Sequence, residues 1–386
     1  MSTTRVFERD APAYTESATG HIAKYPSNAW LRWGLRLLAA MPFIALAIAY
    51  ETASAGDWSA TANGALAERV SHLPWGTPDV AAMGELYPPI SNLLAVIIPG
   101  GAFGLGIAGS LVAGLLIQLV IQSMQRKHFP RGVRVIFILT LAITPIFAYI
   151  ATTNFESIVG LTFFGIGMLD LVRFITYANT QAGFRAGLLF ACSAFTDSTG
   201  LLAALVAASA GTFIIQSRPG ARFANAIVVV FPTIALMGAL ALLGVVFGVG
   251  PLAMIRGNLQ WNANLASDFL AYLGTPQGLV FLAPTIVVVI TAIVMRFPGV
   301  ALVGVLLTAM TVIAFIVGLT PPGMAGNSYI LLLLLVVAIV PTATTLRHAL
   351  LTCTTSIVLW GIGWVSSFQR DVIAAWIATV TGGGPL

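Results

Sequence analysis

The sequence predicts an all-α protein that crosses a membrane many times. Of its 386 residues, 58% are hydrophobic and only 8% are charged, and the mean hydropathy is +0.95. A soluble domain has about 25% charged residues, so the composition excludes an ordinary soluble protein. The apolar residues occur in runs of about 20, the length at which a helix crosses a bilayer. We expect about nine full spans and one hairpin of two half-length helices.

A polar segment precedes the first apolar run. Residues 1–29 contain three acidic residues among several Ser, Thr and Pro. This length and acidity do not fit the basic start of a signal peptide. We expect a mobile cytoplasmic tail, with an interaction arm as the alternative. Residues 30–386 then form a single transmembrane domain, and its outer loops are 51–91 and 250–276.

The apolar runs follow one another along the chain, separated mostly by Gly and Pro. One stretch, 186–215, is interrupted by the polar sequence FTDSTG at 195–200. The uninterrupted runs predict full spans at 34–50, 92–122, 133–152, 158–178, 223–249, 277–296, 298–318, 327–346 and 349–367.

The interrupted stretch decides the predicted topology. Lysine and arginine in short loops favour the cytoplasmic side. With the N-terminus in the cytoplasm, a hairpin at 186–215 leaves only Arg69, Arg256 and Arg370 of the 18 basic residues outside. A single crossing places several more arginines outside, so we prefer the hairpin and expect the C-terminus outside. Non-helical backbone at membrane depth needs protein or water around it, so we expect Asp197 in the interior.

Several functional classes are disfavoured by the same sequence. The pI of about 9.5 comes from basic residues dispersed in loops, which does not predict a nucleic-acid partner. Cys192 and Cys353 lie in apolar segments and exclude a disulfide framework. His72 and His348 are isolated, so we predict no metal site. The glycines of 101–110 indicate close helix packing, because no strand precedes them as in a nucleotide-binding loop. We expect no cofactor.

The first outer loop contains the candidate catalytic acids. Glu85 lies in GELYPPISN, immediately before an apolar run, and Glu51 and Asp57 follow the first span. A carboxylate at the membrane surface can deprotonate an acceptor hydroxyl within hydrogen-bond reach, and partial burial raises its pKa toward neutrality. The alternative is that Glu85 is a solvated acid and that Pro88-Pro89 starts the next helix.

Two further acids have both a structural and a functional interpretation. Thr153 or Asn154 can cap the helix that follows TTNFES, with Glu156 near its positive dipole end. Alternatively, Glu156 lines an outer cavity. Asp197 is an ionisable group among apolar helices, which makes it a functional candidate. It can bind a cation, relay a proton, hold a substrate, or cap the helix that follows it.

Basic residues supply one more candidate and one predicted ion pair. Arg256 lies on the segment IRGNLQWNANLASDFLAYLG, which we interpret as an interfacial amphipathic helix with Trp261 and Tyr272 at headgroup level. Its guanidinium suits a lipid phosphate, and the alternative is a simple headgroup anchor. Asp170 and Arg173 are spaced for an i,i+3 ion pair on one helix.

Three stretches of the first 250 residues carry a family resemblance. GELYPPISNLL precedes the predicted second span, TTNFESIVGLTFFGIGMLDLVRF contains an outer turn and the following span, and AGLLFACSAFTDSTGLLAALVA contains the interrupted helix. They resemble the Tyr-Pro-Pro stretch, the second outer turn and the broken pair of short helices of the GT-C superfamily. These are polytopic membrane glycosyltransferases that use polyprenyl-phosphate-linked sugars. The resemblance covers roughly residues 34–250.

The resemblance implies a fold, a reaction and a set of site residues. A catalytic acid belongs in the first outer loop, and a basic group holds the lipid phosphate in a cavity open to the outer leaflet. Sugar passes from the lipid phosphate to a hydroxyl outside the cytoplasm, and no nucleotide is needed. The candidate catalytic residues are Glu85, Glu51 and Asp57, and the candidate substrate-binding residues are Arg256, Tyr87, Glu156 and Asp197.

Two other functions remain open on the sequence. A non-catalytic membrane subunit of a polysaccharide synthase or export complex has the same layout, and its partners are other membrane proteins. A secondary transporter is the third hypothesis, with Asp197 and the hairpin as its substrate or ion site. For the first function we expect membrane lipid and a lipid-linked sugar as partners. The Ala, Gly and Val content favours a bacterial inner membrane.

Overall fold

The structure is a computed structural model that describes most of the chain. Within the described residues it is all helical, with no strand, which confirms the predicted all-α class. The described residues are 24–73, 87–126, 128–177, 179–197, 200, 203–208, 222–248, 250–251, 263–317, 327–339 and 346–382. The helices are α1 (Ala29–Ala53), α2 (Ala62–His72), α3 (Pro89–Ile97), α4 (Gly101–Arg126), α5 (Arg131–Ala142), α6 (Pro145–Thr153), α7 (Phe155–Tyr177), α8 (Thr180–Thr196), α9 (Arg222–Val246), α10 (Ala263–Leu273), α11 (Pro276–Val294), α12 (Pro298–Ile316), α13 (Asn327–Ile339), α14 (Leu346–Phe368) and α15 (Asp371–Thr381).

Seven of these helices are long and apolar enough to cross a membrane, so the chain is an integral membrane protein. They are α1, α4, α7, α9, α11, α12 and α14. Helices α5 and α6 add an eighth crossing if the bent pair is one span. The described residues therefore contain seven or eight of the roughly nine full spans that the sequence predicts. Helix α13 is shorter than a full span in its described part, since residues 340–345 lie outside the described residues.

Two predicted spans are interrupted. The run 92–122 is divided between α3 and α4, because Gly100 and Gly101 have left-handed φ angles of +94° and +57° that end one helix before the next begins. The run 133–152 is divided between α5 and α6, whose axes differ by 59°. Pro145 is the first residue of α6, where its missing N–H removes no helical hydrogen bond.

The centre of the bundle is formed by α6 and α7. Every residue of α6 is buried, and 78% of the apolar window of α7 is buried. Helix α7 packs against α8, α4, α13 and α6. In contrast, only 22% of the corresponding windows of α1 and α9 is buried, so these two helices leave most of their apolar side chains on the surface of the bundle.

Helix α4 approaches α6 through glycines, as the sequence predicted for 101–110. A Cβ atom on Gly106 would lie 2.8 Å from the Thr152 oxygen, and one on Gly109 would lie 2.5 Å from the Ala151 oxygen. Small residues allow such backbone contact between membrane helices. Gly106 and Gly109 therefore set the distance between α4 and the buried α6.

The predicted ion pair on α7 is confirmed. Arg173 donates from Nη1 to Asp170 Oδ1 at 2.9 Å. The structure adds Arg185 of α8, whose Nη2 lies 2.8 Å from the other Asp170 oxygen. One buried carboxylate thus pairs with two guanidiniums and joins α7 to α8.

The helix is interrupted where the sequence predicted a break. Helix α8 ends at Thr196, and residues 203–208 are helical again. Residues 209–221 lie outside the described residues, and the predicted return of the hairpin falls on them. Helix α10 forms residues 263–273 of the segment predicted as interfacial, with Tyr272 near its end; the first part of that segment, which contains Arg256 and Trp261, lies outside the described residues.

The last residues of the predicted tail contact the bundle. The Tyr25 N–H donates to Gln122 Oε1 at 3.2 Å, and the Tyr25 oxygen accepts from Gln118 Nε2 at 2.7 Å. Both glutamines belong to α4. Residues 1–23 lie outside the described residues.

We expect Gly109→Ala to lower the melting temperature of the purified protein, because the added methyl group meets a backbone oxygen of α6. Overpacking of this kind costs about 1–3 kcal/mol. Gly238→Ala in α9 is the control, since no atom of another helix lies within 4 Å of its Cβ position. Thermal unfolding in detergent measures both. Equal melting temperatures for the two variants would contradict the close α4–α6 contact.

Candidate functional site

The candidate site lies at the end of the bundle where α7 begins. Helix α2, in the loop after the first span, packs against α3, α4 and α7 at this end, and α3 packs against α8. Thr61 caps α2 by accepting from the Gly64 N–H at 3.1 Å. We call the buried polar residues that meet here, with the arginine that pairs with them, the polar end cluster: Asn63, Arg69, Ser91, Asn154, Glu156, Ser157 and Asp197.

Glu156 is the acid of this cluster that contacts both α2 and α3. It is 7% exposed and lies in the first turn of α7. Its Oε1 accepts from Arg69 Nη2 at 2.5 Å and from Ser91 Oγ at 2.8 Å. Burial of a carboxylate is costly unless charge and hydrogen bonds compensate it. One oxygen of Glu156 thus binds a residue of α2 and a residue of α3, and so connects both helices to the start of α7.

The predicted cap of α7 is Asn154. Its Oδ1 accepts from the Ser157 N–H at 3.0 Å, which satisfies one of the free donors at a helix start. Glu156 is the acidic residue of that first turn, close to the positive end of the helix dipole. The capping interpretation therefore holds, and the ion pair with Arg69 is added to it.

Asp197 is buried in the interior, as the break in the sequence predicted. It is 3% exposed and is the C-terminal cap residue of α8. Ser157 Oγ donates to its Oδ2 at 3.1 Å. A Cβ atom on Gly160 would lie 2.9 Å from the Asp197 Cβ atom, so a glycine is needed here. Glu156 and Asp197 are both held at the first turns of α7.

Asn63 joins α2 to the junction of α6 and α7. Its Nδ2 donates to the Thr152 oxygen at 3.0 Å, and its Oδ1 accepts from the Phe155 N–H at 2.7 Å. These backbone groups lie at the end of α6 and the start of α7, where helices leave groups unsatisfied. Sequence reasoning missed this residue, because only its partners in space distinguish it from other asparagines.

Tyr87 has a structural contact. The side chain is 3% exposed, and its hydroxyl donates to the Ala194 oxygen of α8 at 2.8 Å. Its ring packs edge-on against Phe195, with centroids 6.3 Å apart. The residue predicted to bind substrate therefore fixes the start of α3 against the last turn of α8, next to Asp197.

Glu51 lies at the same end, on the last turns of α1. Its Oε2 accepts a hydrogen bond from Trp58 Nε1, and its side chain is partly exposed. Trp58 packs edge-on against Tyr50, with centroids 4.8 Å apart, and also covers Gly106. Gly106 adjoins Thr152, which Asn63 contacts. Packed residues thus connect Glu51 to the polar end cluster.

Asp57 differs from Glu51 in exposure and in electrostatics. It is exposed, and its Oδ1 accepts from the Ser59 N–H at 2.9 Å. Hydrogen bonds from the Ser59 side chain and backbone hold the pKa of the Asp57 carboxyl below its usual value. The contact with Ser59 therefore stabilises the fold above the unfolded pKa and is lost as pH falls through the lowered folded pKa.

The structure brings together only part of the predicted set. Tyr87, Glu156 and Asp197 lie in or beside the polar end cluster, and Glu51 and Asp57 lie nearby; Glu85 and Arg256 are outside the described residues. Arg69 was counted in the sequence only as a basic residue of the outer loop, and its pairing with Glu156 was missed. Among the residues that the structure describes, no three His, Cys, Asp or Glu side chains could hold a metal ion together.

We expect Glu156→Gln and Arg69→Gln each to destabilise the fold, because each removes one charge of a largely buried ion pair and leaves the opposite charge uncompensated. Arg69 is 35% exposed at its side chain, so solvent screens part of the interaction, and a coupling of about 1–2 kcal/mol is expected.

A double-mutant cycle in thermal or denaturant unfolding measures this coupling. Glu68→Gln is the control, since Glu68 lies one residue from Arg69 on α2 and is exposed. Additive effects of the two variants would show that the ion pair contributes nothing.

Comparison with known proteins adds no relative to this description. No protein-family model, curated protein or solved structure matches the chain. Function is therefore inferred from the residues and contacts of the protein itself.

Proposed function

We propose that the protein transfers a sugar from a polyprenyl-phosphate-linked donor to a hydroxyl acceptor, at the end of the bundle that contains α2. The proposal includes a GT-C-like scaffold, a bacterial inner membrane, a cytoplasmic N-terminus and an outer C-terminus. One observation carries it. Glu51 places a partly exposed carboxylate at the membrane end of the first span, fixed by Trp58.

The reaction needs a base at this position. The acceptor oxygen attacks the anomeric carbon of the donor, and the acceptor proton passes to Glu51. The bond between that carbon and the phosphate oxygen breaks, and its electron pair stays on the phosphate. The products are a glycosylated acceptor and a polyprenyl phosphate. Such a base contributes about 10²–10⁴-fold to the rate.

Glu51 is better suited to this role than Asp57. The Trp58 indole donates one hydrogen bond to Glu51 Oε2, which orients the carboxylate. Asp57 has a lowered pKa because Ser59 donates to its ionised form. The lowered pKa makes Asp57 a weaker base at neutral pH than an ordinary carboxylate. Glu85 is still a candidate from the sequence, and it lies outside the described residues.

The donor phosphate requires a cation at the same membrane end. Arg256 is the proposed ligand from the sequence. Arg69 supplies a second positive charge, and its side chain is 35% exposed while Nη2 binds Glu156. A guanidinium with one edge held by a carboxylate still offers other N–H groups to a phosphate. The polar end cluster then orients Arg69.

We expect Glu51→Gln to lower transfer at least 100-fold, because glutamine keeps an acceptor for Trp58 but cannot take the proton. The measurement is sugar transfer by the reconstituted protein from polyprenyl-phosphate-linked donors. Glu68→Gln is the matched control and keeps full activity. Unchanged turnover of Glu51→Gln, with Glu85→Gln inactive, would assign the base to Glu85 instead.

A second function is favoured by a different observation. Glu156 and Asp197 already have partners inside the protein, in Arg69, Ser91 and Ser157. Such satisfied acids suit a scaffold, so a non-catalytic subunit of a polysaccharide synthase or export complex is the alternative. Native mass spectrometry of the gently purified protein separates the two. A bound polyprenyl phosphate that Arg256→Ala weakens supports the transferase, and a retained protein partner without that lipid supports the subunit.

A further inference from the structure

We propose that the start of α1 forms a specific site for the phosphate of an anionic phospholipid headgroup. The site consists of Arg32 and Arg36, and it lies at the opposite end of α1 from Glu51, at a distance of roughly 22–28 Å by helix rise. It is independent of the proposed transfer reaction. The side chains of α4 and the segment before α1 hold both guanidiniums in place.

The two arginines lie on one face of the helix. Residues four apart on a helix are neighbours, and Arg32 and Arg36 repel each other electrostatically. No carboxylate lies within 4.0 Å of either guanidinium in the part of the chain that the structure describes. An anion between them removes the repulsion, and a phosphate suits the planar fork of arginine.

Neutral oxygens position both guanidiniums. Arg32 Nη1 donates to the Pro26 oxygen at 2.8 Å and to the Ser27 oxygen at 3.3 Å. Arg36 Nε donates to Gln118 Oε1 at 3.0 Å. These contacts order the arginines without neutralising them, so the positive charge stays available to a ligand.

Gln118 is the centre of this arrangement. It is fully buried on α4, and its amide also donates to the Tyr25 oxygen at 2.7 Å and to Gln122 Oε1 at 3.2 Å. The same side chain therefore fixes Arg36 and the segment that holds Arg32. A buried amide with all these contacts has a fixed orientation, so it holds the Arg36 guanidinium in one position.

The surrounding side chains indicate that the ligand is a lipid. Trp30 and Trp33 are 85% and 55% exposed, next to the arginines. Tryptophan favours the headgroup level of a bilayer. The Arg36 guanidinium carbon lies 4.5 Å from the Trp33 ring centroid, a cation–π distance. The phosphate site thus lies at the depth of a lipid headgroup.

The test is native mass spectrometry of the full-length protein from nanodiscs that contain phosphatidylglycerol and phosphatidylcholine. We expect the wild type to retain phosphatidylglycerol and the double variant Arg32→Gln/Arg36→Gln to retain at least fivefold less. The control is Arg131→Gln/Arg134→Gln at the start of α5, which removes the same charge and leaves retention unchanged. Thermal unfolding confirms that each variant is folded.

Further arms separate the other sources of negative charge. If Arg32→Gln/Arg36→Gln misfolds, Arg32→Lys/Arg36→Lys keeps the charge and loses the planar fork, and we expect at least threefold weaker retention. Millimolar inorganic phosphate should not displace the lipid; displacement would assign the site to a free anion. If Arg131→Gln/Arg134→Gln loses as much phosphatidylglycerol as Arg32→Gln/Arg36→Gln, the proposal is overturned, because the lipid is then attracted to any basic surface.

The acidic residues of the N-terminal segment are the remaining competitor. Glu8, Asp10 and Glu16 precede the site in the chain. The full-length variant Glu8→Gln/Asp10→Asn/Glu16→Gln should retain the same amount of phosphatidylglycerol as the wild type. A severalfold increase would mean that these acids, and not a lipid, occupy the arginines, which would overturn the proposal.

Discussion

The position of Glu156 is the constraint on which the packing of α2 and α3 at this end of the bundle depends. A carboxylate that is 7% exposed at the start of the central helix must be compensated within the protein. Arg69 and Ser91 supply that compensation from two separate helices. Because both partners must reach one oxygen atom, α2 and α3 are placed against α7. Helix α2 and the start of α3 thereby form a layer over this end of the bundle.

The same layer explains why the candidate residues differ in accessibility. Tyr87 and Asp197 are used to join α3, α7 and α8, and they are almost fully buried. Glu51 belongs to the edge of the layer and stays partly exposed. A buried acid, Asp197, and a partly exposed acid, Glu51, thus occur at the same end of the bundle.

Local features of the fold could be predicted from the sequence. Hydropathy over about 20 residues marks a span, and the i,i+3 pair of Asp170 and Arg173 depends on one helix only. The interruption at FTDSTG and the cap at Asn154 are also local signals. Glycine and proline mark the places where the spans are divided. The 59° bend between α5 and α6 could not be predicted, because the sequence is apolar on both sides of Pro145.

Contacts between distant parts of the chain could not be predicted in this way. Arg69 and Glu156 are 87 residues apart, and Asn63 reaches backbone groups about 90 residues away. A single sequence does not indicate which polar residue meets which. For the same reason the sequence did not indicate the role of Gln118, a polar residue of the apolar helix α4. Its side chain contacts Arg36 and the segment before α1 that binds Arg32.

The completely buried helix α6 has a consequence for biogenesis. Its nine residues are too few to cross a bilayer alone, and its surroundings in the finished protein are other helices. It cannot leave the translocon as an independent span that waits in lipid for its neighbours. If the bent pair is one span, α6 enters the membrane as an extension of α5, and its packing is complete only when α4 and α7 lie against it.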